Sequence, residues 1–186
     1  MEKCFIVTNN DFLEKIKRYK EIRKSRTEFI NKFFDENGIE SEMYCFDGSG
    51  ISNEPCSEFR KDSIRLFIED TQVNREKYGL QLKKGSINGM LCFRKKSEIL
   101  KKFKIACIDS GVVLNLEKIR PGDYFQELRM GGYSHQQFEY KNKMYLRINT
   151  DAYGNKTITP IEDGFSEIKT SAYYIALEKY EQENAD

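Results

Sequence analysis

A single histidine, His135, stands in the run Met130-Gly131-Gly132-Tyr133-Ser134-His135-Gln136-Gln137, and it is the only imidazole in the chain. Its ordinary pKa near neutrality makes it the one side chain suited without adjustment to general acid/base work at pH 7. Tyr133 and Arg129 could orient an anionic or nucleotide ligand beside it, and the adjacent glycines would let backbone amides approach. A small-ligand or nucleotide enzyme with its site at 131–137 is therefore one reading, with His135 as a weak catalytic candidate. Against it, Ser134 and His135 are neighbours, and in extended backbone neighbouring side chains face opposite ways, so they form no ready dyad. A histidine in a surface loop is the simpler expectation.

The five cysteines (Cys4, Cys45, Cys56, Cys92 and Cys107) are odd in number and show no Cys-x-x-Cys spacing. That pattern does not suit a disulfide framework and fits thiols kept reduced in a cytoplasmic setting. Zinc needs three or four converging ligands, and with one histidine no metal is predicted. Gly48-Ser49-Gly50 follows a strand-like stretch, yet neither the phosphate-cradling Gly-x-x-x-x-Gly-Lys-Ser/Thr pattern nor Gly-x-Gly-x-x-Gly is present. No cofactor is predicted.

Charge carries more information than any of these. Residues 14–26 hold seven bases (Lys15, Lys17, Arg18, Lys20, Arg23, Lys24 and Arg26) against Glu14 and Glu21. Residues 83–104 hold eight (Lys83, Lys84, Arg94, Lys95, Lys96, Lys101, Lys102 and Lys104) against Glu98. The acidic stretch 161–186 balances them, so a net charge of +1 conceals a strongly polar molecule. Lys17, Lys20, Arg23, Lys24, Arg26, Arg94, Lys95, Lys96 and Lys101, with Tyr133, are the binding candidates.

The elements that must hold these residues follow from periodicity and punctuation. Cys4 to Thr8 reads as a buried strand, and Asp11 with Glu14 has the spacing of a capping box. The helix it opens should run to Asn37, with Gly38 beyond it, a rod of about 40 Å. Its apolar positions cluster at the two ends, while in the middle Ile22 is the only aliphatic. Such a helix bridges solvent, kinks near Ser25, or offers its middle to a partner.

Strands are expected at Ile39–Phe46, around Ile64–Ile68, at Leu80–Leu82 and at Met90–Phe93. Ser97 and Gly111 bracket a middle helix with Ile99, Leu100, Phe103, Ala106 and Cys107 on its apolar face. Gln137–Tyr140 and Met144–Ile148 flank Asn142 as a hairpin, and Lys156–Ile161 would add a third antiparallel strand. A last helix is expected from Ser166 to Glu183, presenting Ile168, Ala172, Ile175 and Ala176. The class is α+β, a mostly antiparallel sheet with a long N-terminal, a middle and a C-terminal helix.

At 186 residues the chain suits one such domain over 1–186, with 1–47 as an alternative N-terminal sub-element. A composition of 39% hydrophobic and 33% charged residues excludes disordered and collagenous classes. The N-terminal apolar run is too short for a secretion signal, and Ile105–Leu116 too short for a membrane span. No membrane association is expected. Abundant Lys, Ile, Phe, Asn and Tyr, all with A/T-rich codons, suggest a bacterial or phage genome.

Lacking a catalytic kit but carrying two basic runs and many tyrosines, the chain reads first as a non-enzymatic binding protein docking on a host protein or nucleoprotein. A phage or mobile-element inhibitor of a bacterial defence nuclease, anti-CRISPR-like in role, is one such protein. The alternative beside the enzyme reading is a nucleic-acid-binding protein gripping DNA or RNA phosphates with stripes 15–26 and 83–104.

Overall fold

The computed structural model describes residues 1–47, 55–56, 64–79, 90–93, 97–116, 118–128, 132–150 and 157–185. In chain order the elements are β1 (Glu2–Val7), α1 (Asn10–Asn37), β2 (Tyr44–Asp47), β3 (Arg65–Glu69), α2 (Gln72–Tyr78), β4 (Met90–Cys92), α3 (Glu98–Ser110), β5 (Tyr133–Tyr140), β6 (Lys143–Thr150), β7 (Phe165–Ile168) and α4 (Thr170–Glu183). Among the described residues every strand pairing is antiparallel. The fold is α+β, with the long N-terminal, middle and C-terminal helices the sequence predicts. Contacts cluster into two compact units, Met1–Arg18 with Lys118–Asp186, and Tyr19–Glu117.

In the first unit the strand order is β5-β6-β1-β7. β1 is interior to the sheet, which explains its unbroken apolar run. Phe5 and Val7 pack on one face with Met144, Leu146, Ile148 and the Phe12 and Ile16 side chains. Cys4 packs on the other with Phe138, Tyr140 and the α4 residues Tyr173 and Ala176. The β5–β6 hairpin turns on Lys141 and Asn142, whose φ values of 49° and 58° give the two-residue turn that matches strand twist.

Three local expectations change in this unit. α1 is capped by Asn9, whose Oδ1 accepts from Phe12 N at 3.0 Å. Asp11 instead accepts from the Tyr124 hydroxyl and from Lys15. The third antiparallel strand lies at Phe165–Ile168; in the described part of the stretch expected at Lys156–Ile161, residues 157–161, Pro160, lacking an N–H, makes only an isolated bridge to Phe125. Ser166–Ile168 is therefore strand, because the open edge of β1 takes its backbone groups. α4 begins at Thr170 and buries Tyr173 and Ala176, leaving Ile175 exposed.

In the second unit β2-β3-β4 form a small sheet. Its inner side chains Leu66, Ile68, Leu91 and Phe93 pack with Ile30, Phe33 and Phe34 of α1 and with Leu100, Phe103 and Cys107 of α3. The Phe103 ring lies 5.1 Å from that of Phe33 and stacks on Phe46 at 5.7 Å. Ser97 caps α3 by accepting from Leu100 N, and Gly111 (φ 63°) ends it, as the sequence predicts. The strand expected over Ile39–Phe46 is confined to Tyr44–Asp47, since Ile39 is drawn into the core after the helix end. α2 is an element the periodicity does not reveal: Thr71 caps it, and buried Asn74 donates to the carbonyls of Glu40 (3.3 Å) and Glu69 (3.0 Å). The Gly48–Pro55 loop, apart from Pro55, and the strand expected at Leu80–Leu82 lie outside the described residues.

Candidate interaction surface

The middle of α1 is solvent-facing because its sequence supplies cations where a packed helix would supply a stripe of aliphatics. Lys17, Lys20, Arg23 and Lys24 are all exposed. Lys20 and Lys24, one turn apart, share a flank. The helix runs unbroken through Ser25. Lys24 Nζ stands 3.9 Å from the Glu28 carboxylate, an exposed pair that holds the lysine only loosely.

Arg26 differs from its neighbours. It is half-buried, and its Nη1 donates to the Leu114 carbonyl at 3.0 Å, while its buried Nε has no acceptor among the described residues. The residue expected to face a partner instead ties α1 to the segment after α3. Lys101 pairs with Glu98 at 2.5 Å, and the ammonium holds that carboxyl below the usual carboxylate range. Arg94, Lys95 and Lys96 lie outside the described residues, so the second basic run is represented by α3 alone.

Beside the exposed flank the second unit has a cleft of about 360 Å³. Glu21, Ile22, Ser25 and Phe29 form one wall from successive turns of α1, and Ser110, Gly111, Val112 and Val113 form the other. The second wall is built locally. The left-handed Gly111 turns the chain out of α3, and the Ser110 hydroxyl donates to the Cys107 carbonyl and accepts from Val112 N. Cys56 N donates to the Val112 carbonyl at 3.0 Å. Ile22, the lone aliphatic of the helix middle, is thus part of a concave apolar surface. Sequence reading notes its isolation but has no means of pairing it with Val112 and Val113, which come from a distant segment.

The segment expected to be a loop around His135 is strand from Tyr133 onward. His135 lies opposite Ile148 in the β5–β6 register and is exposed. Tyr133 is half-buried, and its hydroxyl accepts from Gly122 N at 3.0 Å, which commits it to the turn at Pro121–Asp123. Its ring centroid is 6.2 Å from that of His135. Arg129, Met130 and Gly131 lie outside the described residues. Among the described residues no group of three or more His, Cys, Asp or Glu side chains could hold a metal ion, and no helix is long and apolar enough to cross a membrane.

No protein-family model matches the chain, and no curated protein or solved structure matches it.

Proposed function

We propose that the chain is a non-enzymatic binding protein that docks on a host protein, alone or within a nucleoprotein, through the exposed middle of α1. The observation that carries this reading is the cleft: Ile22, Phe29, Val112 and Val113 line it, and cationic Lys20, Arg23 and Lys24 occupy the same stretch of helix. Interfaces are recognised by an apolar anchor seated in a pocket with charged groups around it. An acidic protein segment presenting one aliphatic or aromatic side chain meets both requirements. A phosphate backbone would use the cations but gain nothing from the apolar walls. The biological role we propose for such a docking protein is that of an inhibitor of a bacterial defence nuclease.

The test is affinity retention from a bacterial lysate, with and without nuclease treatment, using the wild type, Ile22→Glu, and the triple variant K20E/R23E/K24E. The reading expects a protein that survives nuclease treatment, is lost with Ile22→Glu, and is weakened at least tenfold by the triple reversal. Retention of nucleic acid alone, with affinity falling by a slope of about −0.9 per phosphate neutralised as salt rises, would transfer the basic flank to nucleic-acid binding. Retention unchanged by both variants would remove α1 from the interface.

A further inference from the structure

The outer strand of the first unit's sheet is β5, in the order β5-β6-β1-β7. Two bonds between its inner neighbours fix which β5 backbone groups face the sheet. The terminal ammonium of Met1 donates to the Thr150 carbonyl at 2.8 Å, and Thr150 N donates to the Met1 carbonyl at 2.8 Å. Thr150 therefore turns its backbone groups to the β1 side. Because that direction alternates along a strand, the even-numbered residues of β6 serve β1 and the odd-numbered ones serve β5. The odd-numbered residues of β6 stand opposite Ser134, Gln136, Phe138 and Tyr140. The N–H and C=O groups of Tyr133, His135, Gln137 and Glu139 consequently point away from the sheet. Among the described residues, no backbone hydrogen bond from outside the sheet reaches His135 or Gln137. The side chains of Ser134, His135, Gln136 and Glu139 are exposed.

Open edges are ordinarily guarded by shortness, by lysine or proline, or by a bulge. At the opposite edge β7 has 4 residues, whereas β5 has 8, contains neither lysine nor proline, and pairs with β6 in an unbroken register.

We propose that β5 is a self-association edge: two copies of the chain pair their β5 strands antiparallel about a two-fold axis at Gln137, joining their sheets into one. The occupant follows from the order of side chains along the strand. A residue on a two-fold axis meets itself, and the Gln137 amide, being both donor and acceptor, suits its own copy. Two positions to either side, His135 meets the partner's Glu139, and symmetry makes the same pair again. An imidazole N–H donates to a carboxylate in either protonation state. On the other face Ser134 meets the partner's Tyr140 and Gln136 the partner's Phe138, so no like charges are opposed. The neighbouring two-fold registers lose this match. One sets His135 against Gln137, and the other sets Gln137 against Glu139 and His135 against Lys141. In the proposed register the outward-pointing backbone groups meet one another, giving about six inter-chain N–H···O bonds. This inference goes beyond docking through α1 and does not rest on it.

The experiment is sedimentation velocity of the full-length chain between about 1 μM and about 500 μM, with the wild type, His135→Glu, Glu139→Lys and the double variant H135E/E139K. A monomer–dimer equilibrium within that range is expected for the wild type. Each single variant opposes like charges twice in the dimer and should weaken it at least about tenfold, while the double variant exchanges the signs and should return to within about threefold of the wild type. Amide hydrogen exchange gives a readout that needs no variant. The amides of His135, Gln137 and Glu139 should gain protection in the concentrated wild type, whereas those of Ser134, Gln136 and Phe138 should be protected at every concentration. If a single variant fails to fold, this amide pattern decides. A wild type that stays monomeric throughout, a dimer indifferent to both single variants, a double variant as weak as the singles, or a dimer without new protection at His135 and Gln137 would each overturn the proposal.

Discussion

The Arg26 guanidinium reaches the Leu114 carbonyl across 88 positions of sequence, 3.0 Å from donor to acceptor, and so ties the middle of α1 to the segment after α3. The arginine stem supplies packing that the surrounding cations do not, and its charged head satisfies a carbonyl beyond the α3 cap. Arg26→Ala should lower stability by about 1–3 kcal/mol, the cost of leaving that carbonyl and the emptied space unsatisfied. Lys24→Ala, on the exposed flank, should change it by less than about 0.5 kcal/mol. Urea unfolding of both variants measures the difference, and equal effects would show that Arg26 is no more structural than its neighbours.

Gly164 occupies a position that no other residue fits. Its φ is +89°, its carbonyl accepts from Thr8 N at 2.7 Å and Asn9 N at 3.1 Å, and an added Cβ would lie 2.5 Å from Asn9 N. The backbone there belongs to the entry of α1, so it has no freedom to retreat. Gly164→Ala should destabilise by roughly 2–4 kcal/mol, combining left-handed strain with a backbone clash. Thermal and chemical unfolding should agree on the loss, and a loss below about 1 kcal/mol would show that the turn relaxes.

Asp11, Lys15 and the Tyr124 hydroxyl form one hydrogen-bonded set on the first turns of α1. Hydrogen bonds from Lys15 and then Tyr124 hold the Asp11 carboxyl below its ordinary value of 3.8. A depressed carboxylate contributes stability that is present above the unfolded pKa and is lost as pH falls through the folded one. The melting midpoint of Asp11→Asn should therefore lie below that of the wild type by a constant amount between pH 7 and 5. The gap should close below about pH 4. A gap that persists at pH 2 would assign the effect to packing.

Tyr173 is wholly buried, and its hydroxyl has no hydrogen-bond partner among the described residues. Burial pushes its pKa up from 10 to about 12. For a group that ionises to an anion, a raised folded pKa means stability present below pH 10 and lost as pH rises from 10 through about 12. Tyr173→Phe should flatten that alkaline loss and, by removing an unsatisfied hydroxyl, leave stability at pH 7 equal or higher by up to about 1 kcal/mol. Destabilisation at pH 7 would reveal a bound water as its partner.

The reversible features of the chain were legible where the determinant is local. The end of α1 at Gly38, the bracketing of α3 by Ser97 and Gly111, and the turn at Lys141-Asn142 depend on backbone conformations and caps set within a few residues. The exposed cations Lys17, Lys20, Arg23 and Lys24 were equally readable, since a helix middle almost without aliphatics has nothing with which to bury that face.

Tertiary structure decided the rest, because the competing local preferences there are close in free energy. Ser166–Ile168 continues a plausible helix in sequence, yet the open hydrogen bonds of β1 claim it as β7. Asn9 and Asp11 are both good helix caps, and the carboxylate goes to Tyr124, which arrives from 113 positions away. Arg26 is chemically equal to Arg23 until Leu114 is folded beside it. The joining of Ile22 to Val112 in one cleft likewise depends on which distant segments the core brings together, a contact that residue type and spacing along the chain do not encode.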